Sequence, residues 1–382
     1  MPTQNQPRPL RLTFLIASME ARAGMERVTA TVASGLASCG FDVEILTLRG
    51  EGSGFPLHGA VRLTSLGFVF EDVRMRSQTL PFMRAIRTHA LRRRPDVLVT
   101  VDTFLSIFAF PALLGLRTRR VSWEHFHFHF DFGMRSRRLA RRVASWLGHE
   151  VVVLTAQDAE QWQDALPRSQ ARVGVISNPL PFSPPPSNPY SPDRRVVLAV
   201  GRLDGQKGFD LLLSAWAQIE PDFPEWSLQI TGEGVERGRL QRQVERLSLR
   251  RVALPGATSQ IEREYLNAGV FCLSSRYEGL GMVLMESQAY GVPAVAFDCP
   301  LGPAELLDPG GGLLVEPENV TGLADGLRRV MSDPDTRQEM SGRAYGGARR
   351  YEAQTVLARW TDLLTRGGSD RTRQAIRPQA RS

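Results

Sequence analysis

Val196-Val197-Leu198-Ala199-Val200-Gly201-Arg202-Leu203-Asp204-Gly205-Gln206-Lys207-Gly208 decides the fold of this chain. Five apolar residues form a strand, a glycine-rich turn follows, and helical spacing resumes near 208. A strand leading through such a turn into a helix is the repeating unit of α/β sheets, and the turn is where these sheets hold phosphates. Lys207 is the single lysine among 47 basic residues; the other 46 are arginines. Compositional bias alone explains the count. The position is more telling, because a compact ammonium on a flexible stem has been kept at one strand-to-helix turn.

Outward from this turn, a βα series fills the second half. Strands are expected at 196–200, 227–231, 252–254, 270–273, 294–297 and 313–315, with helices near 208–219, 235–247, 259–267, 281–290 and 319–332. A similar series fills the first half, with strands at 10–17, 43–48, 97–101, 121–123, 151–154 and 173–176 and helices at 25–38 and 79–94. Between the two lies 178–192, with seven prolines in 15 residues, which cannot join a sheet interior. The expected organisation is a Rossmann-like domain over 1–178, a proline-rich linker over 179–194 and a second Rossmann-like domain over 195–352. A C-terminal helix over 353–366 and a disordered, arginine-rich tail over 367–382 complete the chain. The fold class is α/β, with two doubly wound parallel sheets facing each other across a cleft and ligands expected at the carboxyl ends of the strands.

Bulk composition narrows the function classes. With 42% hydrophobic and 23% charged residues the chain is an ordinary globular protein. Three scattered cysteines, Cys39, Cys272 and Cys299, supply neither a disulfide framework nor a zinc site, and a reducing, cytoplasmic setting is expected. No secretory signal is legible at the polar N-terminus. The apolar run 97–116 is about as long as a membrane span, but Asp102 and Pro111 favour a strand, a turn and a buried helix. The net charge of +7 resides in the first half, where residues 1–178 carry 23 basic and 15 acidic side chains. That half is suited to an anionic partner. Arg135 to Arg142 holds five arginines, and Leu139, Val143, Trp146 and Leu147 interleave at helical spacing. This is the pattern of a basic amphipathic helix on an anionic membrane, or of an ordinary solvated helix face. A nucleic-acid partner is not expected, since no reader motif accompanies the basic charge.

A second chemical motif is Glu278-Gly279-Leu280-Gly281-Met282-Val283-Leu284-Met285-Glu286. Glu278 lies in the turn after a strand, Gly281 opens a helix, and Glu286 lies about a turn and a half inside it. The backbone N–H groups of Met282 and Val283 can face a phosphate. The carboxylates cannot, and suit a sugar diol, which a carboxylate accepts through two directed hydrogen bonds. In Trp123-Glu124-His125-Phe126-His127-Phe128-His129-Phe130-Asp131 imidazoles alternate with phenyl rings. An extended segment would put the histidines on one face, as packing or as a metal site.

Together these runs resemble glycosyltransferase family 4, of the GT-B fold and bacterial surface-polysaccharide type. The resemblance rests on Gly-Arg-Leu-x3-Lys-Gly at 201–208, Glu-x7-Glu at 278–286, Gly291-Val292-Pro293, and Gly24-Met25-Glu26-Arg27 before the first helix. The family normally has two glycines at that last position, where this chain has Ala23-Gly24. The resemblance implies that the first domain is the acceptor side and the second binds a nucleotide-diphosphate sugar, with a UDP-sugar expected and no cofactor. Arg202 and Lys207 would bind the diphosphate, Glu286 the ribose, and Glu278 the donor sugar. Gly281, Met282 and Val283 would form the phosphate-facing helix start, and Gly24 would let the first-domain loop approach the diphosphate. His125 would contact the donor sugar or acceptor.

Retention at the anomeric carbon follows from the resemblance. Metal independence is expected because two cations and a helix N-terminus can stabilise the departing diphosphate. The implied reaction is hexosyl transfer to a glycan acceptor, lipid-linked as in surface-polysaccharide or lipopolysaccharide synthesis, on the cytoplasmic face of an anionic inner membrane. A soluble disaccharide synthase or a sugar-nucleotide epimerase is the same-fold alternative. A basic nucleic-acid-binding protein is the alternative from another class.

Overall fold

The computed structural model describes residues 8–68, 75–131 and 133–366, so the tail expected over 367–382 lies outside the described residues. In chain order, the first unit holds β1 (Arg11–Ile16), α1 (Gly24–Ser38), β2 (Asp42–Thr47), β3 (Arg62–Ser65), α2 (Met75–Arg93), β4 (Val97–Val101), α3 (Ser106–Ala112), β5 (Arg119–Trp123), α4 (Arg135–Leu147), β6 (Glu150–Val153), α5 (Ala156–Ala165) and β7 (Arg172–Val175). Its strands form a parallel sheet in the order β3-β2-β1-β4-β5-β6-β7. β4 is buried along its whole length, as expected of a central strand covered by helices on both faces. The run 97–116 resolves into β4, a short 3-10 turn and α3, and among the described residues no helix is long and apolar enough to cross a membrane.

The second unit holds β8 (Val196–Val200), α6 (Phe209–Ala217), β9 (Ser227–Thr231), α7 (Arg237–Arg246), β10 (Val252–Gly256), α8 (Ile261–Asn267), β11 (Val270–Leu273), α9 (Met282–Ala289), β12 (Ala294–Phe297), α10 (Pro303–Leu307), β13 (Gly312–Val315), α11 (Val320–Ser332) and α12 (Pro334–Ala348). Its parallel sheet runs β10-β9-β8-β11-β12-β13. Side-chain caps fix several helix starts: Asn319 accepts from the Gly322 N–H, and Asp333 from those of Asp335 and Thr336. Trp216, Trp226 and Phe297 fill the core of this unit.

The units divide between Pro181 and Phe182, and again between Glu352 and Ala353. The proline-rich stretch is therefore part of the second unit from Phe182 onward. Its Tyr190 hydroxyl donates to the Gly269 carbonyl at 2.9 Å, and Asn188 Nδ2 donates to Ser341 Oγ at 2.9 Å. The last helix, α13 (Ala353–Thr365), returns to the first unit. Trp360 is fully buried there, its ring 4.8 Å from Trp123 and 6.3 Å from Phe14, and Arg119 donates to the Leu364 carbonyl at 2.9 Å. A fully buried indole contributes about 3–5 kcal/mol against truncation, so the helix is part of the first core rather than an appendage.

Each strand order reverses once, between β1 and β4 in the first sheet and between β8 and β11 in the second. Connections on the two sides of a reversal leave toward opposite faces and open a crevice at the strand ends. In the second unit that reversal brings the turn 201–208 beside the turn 274–281, the two stretches that carry the chemical motifs.

Candidate active site

In the second unit the two turns are laced together. Arg276 N–H donates to the Gln206 carbonyl at 2.8 Å, Gln206 Nε2 to the Tyr277 carbonyl at 3.0 Å, and Ser274 Oγ to the Lys207 carbonyl at 2.9 Å. Arg276 is itself held by Asp210 at 2.9 Å, in the first turn of α6. Gly208 has φ +62°, and a Cβ there would lie 2.0 Å from the Ser274 carbonyl oxygen, so only glycine lets the two turns approach this closely.

This framework places the predicted residues. Lys207 is largely buried and its Nζ donates to Glu278 Oε1 at 2.7 Å, while Ser275 Oγ donates to the same oxygen at 2.6 Å. Glu278 is 8% exposed. Arg202, by contrast, is exposed and pairs with Asp204 at 2.9 Å within its own turn. Gly281 takes φ +85° and opens α9 at Met282 and Val283 without bringing a capping side chain of its own. Glu286 is 4% exposed, and its Oε2 accepts the Tyr265 hydroxyl at 2.8 Å. Tyr265 is fully buried and stacks on Tyr290 at 5.7 Å. Burial, then Glu262 and Glu286, pushes the Tyr290 phenol up to about 12. Cys299 is pushed up to about 12 by burial and next by Glu278, which keeps this thiol protonated beside the pair.

The second unit thus brings together Lys207 and Glu278 directly, keeps Arg202 at the mouth of the same turn, and sets Glu286 in α9. Tyr265 and Ser275 belong to the site and were not foreseen. Ser275 stands three residues before Glu278 and could have been read from that spacing; Tyr265 comes from α8, 21 positions before Glu286, and had no local signal.

The first unit departs further from expectation. Gly24 is the first residue of α1, has no left-handed φ, and open space surrounds the place a Cβ would take. Among the described residues no contact therefore requires a glycine at 24. Two residues on, Glu26 is 9% exposed with a buried Oε2 that has no hydrogen-bond partner among the described residues, and burial raises its pKa. The histidine run is not extended: β5 ends at Trp123 and the chain turns at 128–129. The histidines consequently do not share one face. His125 packs on Trp123, rings 4.6 Å apart, and its Nε2 is buried with no hydrogen-bond partner among the described residues; burial drives its pKa down to about 3, so the imidazole is neutral. His127 and His129 lie 5.4 Å apart, and among the described residues no three histidine, cysteine or acidic side chains group as metal ligands.

Behind His125 lies a charged cluster at the ends of β4, β5 and β6. Asp102 adopts φ +78°, a strained position for a non-glycine residue, and pairs with Arg137 at 2.9 Å. Glu124 is 1% exposed; its Oε1 accepts the N–H groups of His125 and Phe126, and its Oε2 lies 3.8 Å from Arg141 Nε. Burial, and next the Asp102 charge, pushes the Glu124 carboxyl well up. Asp158 accepts the Phe128 N–H at 2.9 Å and is raised to about 6 by burial. Asp102 was legible as the charge inside an apolar run; the others were not.

Both halves match models of sugar-transfer enzymes. Residues 22–180 match the model "Glycosyltransferase Family 4" and residues 185–346 match "Glycosyl transferases group 1". The chain is 29% identical over 363 residues to the amylovoran biosynthesis glycosyltransferase AmsD of Erwinia amylovora, covering 93% of this chain and 99% of that one. It is 28% identical over 361 residues to a Campylobacter jejuni N-acetylgalactosaminyltransferase whose name specifies a diphospho-undecaprenol-linked glycan, covering 93% and 98%. Among solved structures, the lipopolysaccharide outer core galactosyltransferase WaaB aligns with TM-score 0.75 at 20% identity, over 94% of this chain and 99% of that one. Anabaena HepE in complex with UDP aligns with TM-score 0.75 at 18% identity, over 94% and 100%. Two parallel-sheet Rossmann-like units of this kind are those of the GT-B glycosyltransferases. The chain belongs to glycosyltransferase family 4, among relatives that build bacterial exopolysaccharide and lipopolysaccharide.

Proposed function

We propose that this glycosyltransferase moves a hexosyl group from a nucleotide-diphosphate sugar, a UDP-sugar first among candidates, to a membrane-borne, lipid-linked glycan, with retention at the anomeric carbon and without a metal. The observation that carries the donor half is the Lys207–Glu278 contact of 2.7 Å at the switch point, with Glu286 in the adjoining helix. The β11–α9 turn offers a helix start to a diphosphate, with Lys207 on one side and exposed Arg202 on the other. Glu286, oriented through its Oε2 by the Tyr265 hydroxyl, would accept from a ribose diol. On donor binding Lys207 turns to the diphosphate, and Glu278, still held by Ser275, accepts a donor-sugar hydroxyl. The bond from the anomeric carbon to the phosphate oxygen breaks as the acceptor oxygen bonds to that carbon. The acceptor proton passes to the leaving phosphate, and the negative charge growing on that phosphate is stabilised by both cations and the helix start.

The acceptor half rests on the first unit's surface. Leu139 and Trp146 are about half exposed on α4 beside exposed Arg135, Arg138 and Arg142, a face suited to the cytoplasmic leaflet of an anionic membrane. Val143 and Leu147 pack instead against the core, so only part of the expected apolar stripe is available outside.

A thermal-shift panel of UDP-, GDP-, ADP- and dTDP-sugars tests the donor assignment. One of them at 100 times its dissociation constant should add about 2.7 kcal/mol of stability. No shift with any of the four would remove the donor assignment.

A further inference from the structure

Arg276 stands two residues before Glu278 and takes no part in the transfer proposed above. Three successive carbonyls of the facing turn are nevertheless held by Arg276 and its neighbour. Gly205 accepts from Arg276 Nη1 at 2.7 Å, Gln206 from the Arg276 N–H at 2.8 Å, and Lys207 from Ser274 Oγ at 2.9 Å. The guanidinium also grips Asp210 as a fork, Nη1 to Oδ1 at 3.0 Å and Nη2 to Oδ2 at 2.9 Å, and its Nε donates to Glu318 Oε2 at 3.2 Å. Every nitrogen of this group is thereby committed to the protein rather than presented to a ligand. An isolated, partly exposed ion pair holds little, but a bidentate fork inside a network fixes geometry. Its partners are placed where such a hold matters. Asp210 lies in the first turn of α6, which has no side-chain cap at Gly208, and Glu318 has φ +59°, a strained value for a residue with a side chain. One planar group therefore joins the turns that follow β8, β11 and β13, which the point charge of a lysine could not do.

We propose that Arg276 is a positioning residue of the donor site: it anchors the turn 205–207, so setting Lys207 against Glu278, and touches no donor atom itself. The inference rests on the reading of this site as the one that binds the donor diphosphate. It divides the work between two cations. Lys207, a flexible stem with three donors, exchanges Glu278 for a phosphate, while Arg276 keeps the backbone beneath it in place.

A urea-denaturation cycle of Lys207→Ala and Glu278→Gln, run in the wild type and again in Arg276→Ala, tests it with no nucleotide present. The coupling between Lys207 and Glu278 should fall by at least half once Arg276 is removed. Should Arg276→Ala fail to fold, Arg276→Lys carries the same cycle: it keeps the charge but cannot span Gly205, Asp210 and Glu318 together, so the same loss is expected. A coupling that is the same with and without the guanidinium overturns the proposal. Calorimetric titration with UDP and with uridine gives the second readout. Arg276→Ala should weaken UDP by about fivefold or more, leave uridine unchanged, and add nothing further in a Lys207→Ala background. A further loss of similar size in that background overturns the proposal, because Arg276 would then act on the phosphates itself. Equal losses of UDP and uridine overturn it as well, because Arg276 would then only hold the fold. A wild type that binds no UDP would remove the donor reading, and the urea cycle would still decide on Arg276.

Discussion

Lys207 Nζ lies 2.7 Å from Glu278 Oε1, so the only lysine of the chain is paired with the first carboxylate of the Glu-x7-Glu run, 71 residues away. The family resemblance implies different donor contacts for the two residues, the diphosphate for Lys207 and the sugar for Glu278. The pair shows that they meet at one point, where β8 and β11 end side by side. The largely buried ammonium and carboxylate are partners in a direct hydrogen-bonded contact, which in the proposed function donor binding would exchange for phosphate and hydroxyl partners.

Breaking the pair from one side should cost more than replacing both members. Lys207→Ala should lower stability by about 2 kcal/mol by leaving Glu278 buried and unpaired. Lys207→Ala/Glu278→Gln should recover at least about 1 kcal/mol of that loss. Urea denaturation of the four proteins of this cycle measures the coupling; a coupling near zero would mean that the contact carries no stability.

Lys207→Arg keeps the charge but must fit a planar fork where the lysine stem runs within 3.1 Å of the place a Cβ at Gly201 would take. Turnover should fall by tenfold or more while the protein stays folded. Unchanged turnover in a steady-state assay would show that only charge matters at this position.

Tyr265→Phe removes the hydroxyl that orients Glu286 and leaves the stacked ring in place. The expected result is a three- to tenfold rise in donor KM with little change in kcat, from the loss of about 1 kcal/mol of positioning. A purely structural tyrosine would instead lower melting temperature and leave KM unchanged.

Gly208→Ala should destabilise the second unit by about 2 kcal/mol or more, since alanine meets both the left-handed φ of +62° and the Ser274 carbonyl. The same substitution at Gly24, where space is open, should leave stability within about 0.5 kcal/mol, as for surface changes without a special mechanism. Thermal denaturation of the two variants separates a glycine needed by the fold from one that only a bound ligand could require.

The first unit should be acid-sensitive through His125. Its folded pKa is depressed to about 3, so the stability it contributes is fully present above its unfolded value and is lost as pH falls toward the folded one. Between pH 6.5 and 4 that loss amounts to about 1.4 kcal/mol per pH unit. His125→Phe should abolish this part of the slope, so the variant gains on the wild type as pH drops. Parallel melting curves at pH 7 and pH 5 would contradict the buried, neutral imidazole.

The two Rossmann-like units and the donor turn were legible because buried parallel strands read as continuous apolar runs and their turns carry glycines with fixed geometric duties. β3 was missed because Arg62-Leu63-Thr64-Ser65 is a short, half-exposed edge strand without an apolar run. The period-two alternation of the histidine run imitates a strand, whereas the backbone turns at 128–129, so that His125 packs on Trp123 while His127 and His129 lie against each other. The C-terminal helix was legible as a helix but not as part of the first core, because its partners Phe14 and Trp123 lie hundreds of positions away. Long-range packing of this kind, like the Tyr265–Glu286 contact, leaves no local pattern.

In the proposed function the switch point of the second unit binds a nucleoside diphosphate with Lys207 on the phosphates and Glu286 on the ribose. Calorimetric titration of the wild type, Lys207→Ala and Glu286→Gln with UDP and with uridine tests it most directly. Lys207→Ala should weaken UDP by tenfold or more and leave uridine unchanged, while Glu286→Gln should weaken both by a similar factor. UDP affinity unaffected by either substitution, or equal losses of UDP and uridine in Lys207→Ala, would contradict it.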